Sequence, residues 1–206
     1  MVKEKIFERK AEVIESALDE FISKDYEKAS LNAIIKNAGI SKGTFYYHFK
    51  NKEALYLFLL KTGTDAKWQY IGGQTSVHNE EFKPKDIFDK FLYQAQIGAG
   101  FVEKYPKWYR LGQMFAKEKN NPIYATALDY LSSDRTNIIE VMVKEAIQKK
   151  ELDSTFDEDF IVKLLSHMLI EFDQVFDERS DYNKDQILRN LESYVRFMKY
   201  GLKRKE

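Results

Sequence analysis

Two serines, a glycine and two phenylalanines between residues 30 and 49 restrict the possible folds of this chain more than any other feature. Ser30 and Ser41 are N-cap candidates, because a serine hydroxyl accepts a hydrogen bond from a free amide in the first turn of a helix. Gly39 lies between them and is the residue type that ends a helix in the left-handed conformation. The stretch therefore predicts two short helices joined by a tight turn.

Each of these predicted helices has an apolar face. In the second helix, Phe45 and Phe49 are four residues apart and share a face, and Ile40 with Phe45 forms a hydrophobic staple. The first helix has a buried stripe of Leu31, Ile34, Ile35 and Ala38. The rest of the second helix carries a small residue and hydrogen-bond donors suited to phosphates and to base edges in a major groove, namely Lys42, Gly43, Thr44, Tyr46, Tyr47 and His48. A plain helical hairpin with a solvated aromatic face is the alternative.

The segment SKGTFYYHFKNKEAL resembles the DNA-binding signature of the TetR (tetracycline-repressor-like) family of bacterial transcription regulators. The resemblance covers residues 1 to about 65. It implies a ligand-responsive regulator, by family expectation a repressor, which binds double-stranded DNA through a three-helix helix-turn-helix domain in residues 1–50. We place the DNA contacts at Ser30, Ser41, Lys42, Gly43, Thr44, Tyr46, Tyr47, His48 and Lys52. The family usually has an alanine where this chain has Ile35, which predicts a wider spacing of the two helices.

The charge distribution supports this assignment, although the net charge of zero does not. Between residues 36 and 61 there are five lysines and one acidic residue, a local basic patch of the kind expected on a DNA-reading face. Asn51 is the N-cap candidate of the next helix, and Lys52 in its first turn opposes the helix dipole. That placement is favourable if a phosphate binds there, and the family resemblance implies the same role. A solvated lysine is the alternative.

The remaining sequence predicts an all-α fold. A helix at 4–23 packs against the helix-turn-helix, a helix at 51–70 connects to the rest, and residues 71–84 form a loop. A larger helical domain, residues 71–206, follows. Its helices start near residue 85, at Pro106, which suits a first helical position, and after Pro122. The third runs from 123 to 149. The last two span 157–178, with a capping box at Thr155 and Glu158, and 184–203, with Asn183 as N-cap.

The apolar stripes of these last two helices are wider than one neighbour requires. Helices of this kind pair across a two-fold axis as a four-helix bundle. We therefore expect a homodimer through helices 157–178 and 184–203 that binds a near-palindromic operator. Burial of both stripes within one subunit is the alternative.

The middle of the chain combines large aromatic residues with glycines, which describes a pocket for a small-molecule effector. Candidate ligand-binding residues are Tyr93, Phe101, Trp108, Tyr109, Phe115, His167 and Phe172. The family resemblance also implies such a pocket, but an aromatic stripe at helical spacing is equally typical of a core. For His167 we favour a partly buried, hydrogen-bonded histidine over a ligand.

Other classes of function lack support in the sequence. There is no cysteine, no paired Glu-x-x-His motif, no Gly-rich phosphate loop and no G-x-S-x-G segment, so we expect no enzyme, no metal and no cofactor. The longest apolar run, residues 54–60, is far shorter than the ~18 residues of a membrane span, and the N-terminal residues lack the apolar core of a signal peptide. We expect a cytoplasmic protein. A helical ligand-binding or protein-interaction module without sequence-specific DNA binding is the competing interpretation.

Overall fold

The computed structural model describes residues 9–77, 86–132, 138–153, 155–170 and 184–201, and within these residues it contains helices and no strands. The predicted all-α fold class is confirmed. The helices are α1 (Lys10–Ser23), α2 (Leu31–Asn37), α3 (Lys42–His48), α4 (Lys52–Val77), α5 (Ile87–Lys104), α6 (Pro106–Lys117), α7 (Pro122–Ser132), α8 (Ile138–Gln148), α9 (Glu158–Ile170) and α10 (Lys184–Tyr200).

The chain divides into two compact units. The first combines Met1–Gln69 with Phe101–Asp134, and the second combines Tyr70–Gly100 with Arg135–Glu206. The helix-turn-helix thus shares its unit with α6 and α7, which follow it by more than fifty residues in the sequence.

The core of the first unit is formed where α1 packs against its neighbours. Val13, Phe21, Ile34, Phe45 and their neighbours form one buried cluster with Leu55 and Leu59 of α4, Leu111 of α6, and Ile123 and Ala127 of α7. Burial of apolar surface on this scale is the main favourable term in folding. An ion pair fixes the start of α6 to α1, because Lys107 Nζ contacts Glu15 and lies 2.6 Å from Asp19 Oδ1. The helix-turn-helix therefore rests on a scaffold that includes α6.

The core of the second unit lies between α5, α8, α9 and α10. Its buried members are Ile87, Phe88, Phe91, Met142, Val143, Ala146, Ile161, Leu165, Leu191 and Val195. The start of α5 is held by side chains from distant segments. Glu151 accepts a hydrogen bond from the Ile87 amide at 2.9 Å, and Lys199 pairs with Asp86 and, at 3.4 Å, with Asp89.

Several predicted boundaries need correction. The connecting helix does not end at residue 70 but continues to Val77, so residues 71–77 are helical rather than a loop. Two consecutive glycines each cost about 1 kcal/mol in a helix, and burial of Ile71 is the packing that opposes this cost. The first helix begins at Lys10, with Arg9 as its N-cap residue, and residues 4–8 of the predicted helix lie outside the described part.

The capping of α9 also differs from the prediction. Asp157, rather than Thr155, is the capping residue, since its Oδ1 accepts from the Phe160 amide at 2.7 Å. Thr155 instead donates to Asp153. The predicted helix at 123–149 corresponds to α7 and α8, with 133–137 outside the described residues. Also outside them lie 171–178, including Phe172, and the predicted cap Asn183.

Candidate nucleic-acid interface

The two helices of the helix-turn-helix begin with side-chain caps, as predicted. Ser30 Oγ accepts from the Ala33 amide at 3.3 Å, and Ser41 Oγ accepts from the Thr44 amide at 3.0 Å. Between them Gly39 has a φ of 63°, a conformation that glycine adopts without a steric penalty. These three residues set the turn that presents α3.

The two sides of α3 differ sharply in exposure. Phe45 is fully buried, Phe49 is nearly so, and their ring centroids are 5.6 Å apart. Tyr46 and Tyr47 are 55% and 68% exposed. The exposed face also includes Lys42, Gly43 and Thr44, with His48 half-buried at its end. The structure thus brings the predicted contact residues of α3 onto one accessible surface, because the two phenylalanines anchor the opposite side.

Gly43 has no neighbour in its own chain that requires a glycine. A Cβ atom placed there would meet only Ser41 Oγ, at 3.7 Å, which is ordinary van der Waals contact. Gly63 of α4 is the opposite case, since a Cβ there would lie 2.8 Å from Trp108 Cε3. The small size of residue 43 therefore leaves space on the outer surface of α3, where an external group can approach the backbone closely.

Ser30 is engaged by α1 and α2 rather than by α3. It is half-buried, and its amide donates to Glu20 Oε1 at 2.8 Å. Glu20 is 8% exposed and also accepts from Lys24 Nζ at 2.6 Å. The hydrogen bond from Lys24 and that from the Ser30 amide lower the pKa of Glu20 against the opposing effect of burial. Ser30 is thus held in place by an ionised carboxylate, and its hydroxyl already serves as a cap.

Lys52 makes contacts that the sequence patterns did not predict. Its ammonium group donates to the backbone carbonyl oxygens of Tyr26, Glu27 and Ala29 at 2.7, 3.2 and 3.1 Å, and it lies 4.4 Å from the centroid of the Tyr26 ring. Burial, followed by the charges of Glu53 and Glu27, raises the pKa of Tyr26 to about 12. A phosphate contact by Lys52 stays a prediction, and it requires at least one of these bonds to break.

The loop held by Lys52 is bound from a second side by α6. Glu118, 9% exposed, follows the last residue of α6 and accepts a hydrogen bond from the Tyr26 amide at 2.6 Å. Asn121 Nδ2 donates to Glu27 Oε1 at 3.3 Å. The loop between α1 and α2 is therefore held by two charged side chains. The Glu118 carboxylate accepts from a backbone amide of the loop, and the Lys52 ammonium donates to its backbone carbonyl oxygens. No local sequence signal indicates these contacts, because their partners are 23 to 94 residues apart.

The basic patch is smaller than the sequence count suggests. Lys36, Lys42 and Lys50 are exposed, whereas Lys52 is engaged by carbonyl groups. Lys61 is paired with Asp65 at 3.5 Å. The exposed lysines of this segment are thus Lys36 in α2, Lys42 at the start of α3 and Lys50 just after α3.

The candidate ligand-binding residues fall into both units. Trp108 and Phe115 pack against the buried core of the first unit, and the Phe115 ring stacks on Tyr124 with centroids 4.8 Å apart. Phe101 is buried and contacts the ring of Tyr105. Of the others, Tyr109 belongs to the first unit and Tyr93 to the second, and both are half-buried. Trp108 and Phe115 therefore pack against the core of the first unit, as the core alternative for the aromatic residues predicts.

His167 does not match its sequence interpretation. It lies in the last turn of α9 and is exposed, so the expectation of a partly buried histidine is wrong for the chain by itself. His167 follows Leu164 by three residues and Phe160 by seven, so it lies on the exposed side of α9 rather than on the side that carries Ile161 and Leu165. Phe172, the other candidate near this segment, is not among the described residues.

Two further surveys concern metal and membrane binding. Among the described residues, no three His, Cys, Asp or Glu side chains are grouped closely enough to hold a metal ion. None of the described helices has the length and apolar character needed to cross a bilayer.

Comparisons with known proteins agree with this geometry. A sequence profile of "Bacterial regulatory proteins, tetR family" matches residues 13–58, the segment from α1 into α4. Among curated proteins, the HTH-type transcriptional regulator YwcC of Bacillus subtilis is 24% identical over 163 residues, which is 76% of this chain and 70% of YwcC. The regulator YerO of the same organism is 42% identical over 97 residues, 47% of this chain but only 31% of YerO.

The fold extends the similarity beyond the matched segment. The crystal structure of the transcriptional regulator FadR from Bacillus subtilis, in complex with stearoyl-CoA, superposes with a TM-score of 0.68 at 18% identity. The superposition covers 94% of this chain and 99% of the FadR chain. Residues 13–58 thus match the helix-turn-helix segment of the tetR family of bacterial regulatory proteins, and the all-α fold of this chain is similar to that of a bacterial transcriptional regulator.

Proposed function

We propose that this protein is a transcriptional repressor that binds a near-palindromic operator as a homodimer and is released by a small-molecule effector. The observation that carries the DNA-binding part is the exposed face of α3. Two tyrosines that are more than half exposed, a lysine, a threonine and a glycine share this face, while Phe45 and Phe49 hold its other side in the core.

In this proposal α3 enters the major groove. A major groove is about 12 Å wide and admits one α-helix, whose N-terminal residues contact base edges. Lys42 and Thr44 lie in the first turn of α3 and supply donors for bases or phosphates. Gly43 lets the backbone approach the DNA, and Tyr46 and Tyr47 offer hydroxyl groups to base edges and to phosphate oxygens.

The homodimer is supported by an apolar stripe on the second unit. Phe156, Phe160 and Leu164 recur at intervals of four residues and are 44–53% exposed, and the first two rings stack with centroids 5.5 Å apart. The other side of α9 is already buried in the core through Ile161 and Leu165. A second copy of the chain would cover the exposed stripe, together with Phe197 and Tyr200 of α10, which are also exposed. A two-fold axis then places two α3 helices in successive major grooves, about 34 Å apart or a multiple of that distance.

The effector is proposed from the family and from one structural neighbour. The B. subtilis FadR structure contains stearoyl-CoA, which supports a small-molecule ligand for the helical region of this chain as well. Phe101 and Tyr109 remain candidate ligand contacts within the first unit, and Tyr93 and His167 within the second, whereas Trp108 and Phe115 support the core of the first unit. An effector shifts the DNA-binding equilibrium only by its difference in affinity for the free and DNA-bound conformations.

The DNA-binding proposal is tested by fluorescence anisotropy with duplex DNA. Replacing Tyr47 with alanine should weaken binding by about 1–3 kcal/mol if it contacts a base edge, and Lys42→Ala should act in the same direction. Tyr130→Ala is the matched control, since Tyr130 is an exposed tyrosine on α7 of the same unit. Equal affinities of all variants would remove α3 as the docking surface. Failure of the wild-type chain to bind DNA in dilute salt would favour a helical ligand-binding or protein-interaction module.

A further inference from the structure

Arg9 precedes α1, and its guanidinium group lies against the turn between α2 and α3. Nη1 donates to the Gly39 carbonyl oxygen at 3.0 Å, and Nε donates to Glu12 Oε1 at 3.2 Å. A guanidinium carries five N–H donors, so these bonds use only part of its capacity. The side chain remains 51% exposed. Arg9 is therefore a permanently charged group that is oriented by the fold and accessible to solvent.

The guanidinium of Arg9 packs against Gly39; this contact is termed the seat of Arg9. A Cβ atom at residue 39 would lie 3.1 Å from Nη1 of Arg9, tighter than most real contacts, and 3.5 Å from Nη2, an ordinary contact. The guanidinium thus occupies the space that any larger residue would fill. Gly39 serves the turn twice, because its φ of 63° also favours glycine.

This seat lies next to the start of α3. Gly39 precedes Lys42, the first residue of α3, by three positions, so their Cα atoms are at most about 11 Å apart. In a helix-turn-helix the first residues of the second helix approach the base edges, and phosphates border the groove. A cation at the turn is consequently close to one of the phosphate rows when α3 is docked.

We propose that Arg9 binds a DNA phosphate, with the Gly39 carbonyl orienting its guanidinium toward the backbone beside the start of α3. This inference rests on the DNA-binding function proposed above. Arginine is suited to the role because its planar fork donates two parallel hydrogen bonds to phosphate oxygens. The contact is sequence-independent and fixes the orientation of α3 rather than the choice of base.

Glu12 tunes this contact. Its carboxylate is paired with Arg9 in the free protein, and the two side chains are 45% and 51% exposed. An exposed ion pair of this kind contributes about 0–1 kcal/mol, so exchange of Glu12 for a phosphate has a small cost. The negative charge of Glu12 beside the phosphate also opposes binding. Removal of this charge should therefore strengthen binding, whereas removal of the charge of Arg9 should weaken it.

The test is the salt dependence of binding to a mixed-sequence duplex of about 30 base pairs. Binding is measured by fluorescence anisotropy between roughly 50 and 200 mM KCl. Each phosphate contact adds about 0.9 to the negative slope of log K against log salt. We expect Arg9→Gln to reduce that slope by about 0.9, equivalent to about a 3.5-fold change over this salt range. Arg9→Lys should retain the slope. Glu12→Gln should bind more tightly than wild type at each salt concentration.

Arg110→Gln is the control, because Arg110 is an exposed arginine of α6 in the same unit and its loss changes the net charge equally. The slope of Arg110→Gln should equal that of wild type. If Arg9→Gln also keeps the wild-type slope and only unfolds at a lower temperature, Arg9 has a purely structural role. That result refutes the phosphate contact of Arg9 but leaves the proposed DNA-binding function intact. If the wild-type chain binds neither this duplex nor any sequence from a random pool, the proposed function fails and Arg9 fails with it.

Discussion

Replacement of Lys52 with methionine removes an ammonium group that donates to three backbone carbonyl oxygens in the loop between α1 and α2. Methionine keeps most of the aliphatic length of lysine. The substitution therefore separates the role of the charge from that of packing. Because the loop leads into Ser30 and α2, we expect it to lose part of its support, although its amide side stays bound to Glu118.

The magnitude follows from the exposure of the three bonds. The bond to Glu27 is exposed, so water replaces it at little cost. The bonds to Tyr26 and Ala29 are only partly buried. Each is therefore given about 1–1.5 kcal/mol, at or just below the lower end of the ~1.5–3 kcal/mol range for a bond to a charged group. Loss of the contact with the Tyr26 ring adds about 0.5 kcal/mol, and the freed side chain regains up to about 1 kcal/mol of conformational entropy. The net loss in the free energy of unfolding is about 2 kcal/mol.

For a chain of this length, a loss of about 2 kcal/mol corresponds to a decrease of about 4–8 °C in Tm. The assay is thermal unfolding followed by circular dichroism, combined with the salt titration of DNA binding. Lys50→Met is the control, because Lys50 is exposed and lies two residues away. The carbonyl contacts of Lys52 predict that Lys52→Met lowers Tm and leaves the salt slope unchanged, in opposition to the phosphate contact expected from the sequence. An unchanged Tm with a slope reduced by about 0.9 would refute this reasoning and establish Lys52 as a phosphate ligand.

Four other perturbations have distinct expected results. Gly43→Ala should leave the unfolding temperature equal or higher, since a Cβ has room there, yet reduce DNA affinity in anisotropy. Gly63→Ala should instead destabilise the fold by about 1–3 kcal/mol, because its Cβ would lie 2.8 Å from an indole carbon. Phe160→Asp, at an exposed position of α9, should convert a dimer to a folded monomer in sedimentation, and a monomeric wild-type protein at micromolar concentration would contradict the dimer. Lys199→Met should destabilise the second unit at pH 7 through its ion pair with Asp86. Although burial raises the pKa of Asp86, the bonds from Lys199 and from backbone amides lower it on balance from its ordinary value of 3.8. The stabilisation by the Lys199–Asp86 pair is therefore present above about pH 3.8 and is lost as the pH falls through the lowered pKa of Asp86. Urea unfolding at pH 7 and pH 3 should show a larger difference between wild type and variant at pH 7.

Local rules were sufficient for the helix-turn-helix. Ser30, Ser41 and Gly39 act through atoms within three or four positions in the sequence, and the structure confirms both caps and the left-handed turn. The alternation of buried phenylalanines and exposed tyrosines in α3 is likewise a property of helical spacing. This part of the candidate site could therefore be predicted from the sequence.

Long-range contacts account for what the sequence did not reveal. The continuation of α4 through two glycines reflects tertiary packing, which overrides local propensity. The seat of Arg9 on Gly39 and the engagement of Lys52 by the loop join residues 30 and 23–26 positions apart. Charge counting treated Lys52 as an available cation and gave Arg9 no role, because periodicity does not report which distant backbone groups a side chain meets.

The role of α6 has the same origin. Its residues Trp108 and Phe115 were expected from composition to line a pocket, but they pack against the core that supports the DNA-binding helices. Composition identifies large apolar side chains, whereas only the fold determines whether they surround a ligand or each other. Glu118, at the end of the same helix, is buried beside the loop between α1 and α2, and no motif indicated it.

The central claim is that α3 of two symmetry-related copies reads duplex DNA through its exposed face. Selection of bound sequences from a random pool of duplexes tests this claim most directly. The structure predicts enrichment of an inverted repeat whose half-sites are separated by about one helical turn, 10–10.5 base pairs, or a multiple of it, and loss of that enrichment in Tyr47→Ala. A pool that shows no enriched sequence after selection with the wild-type protein would contradict it.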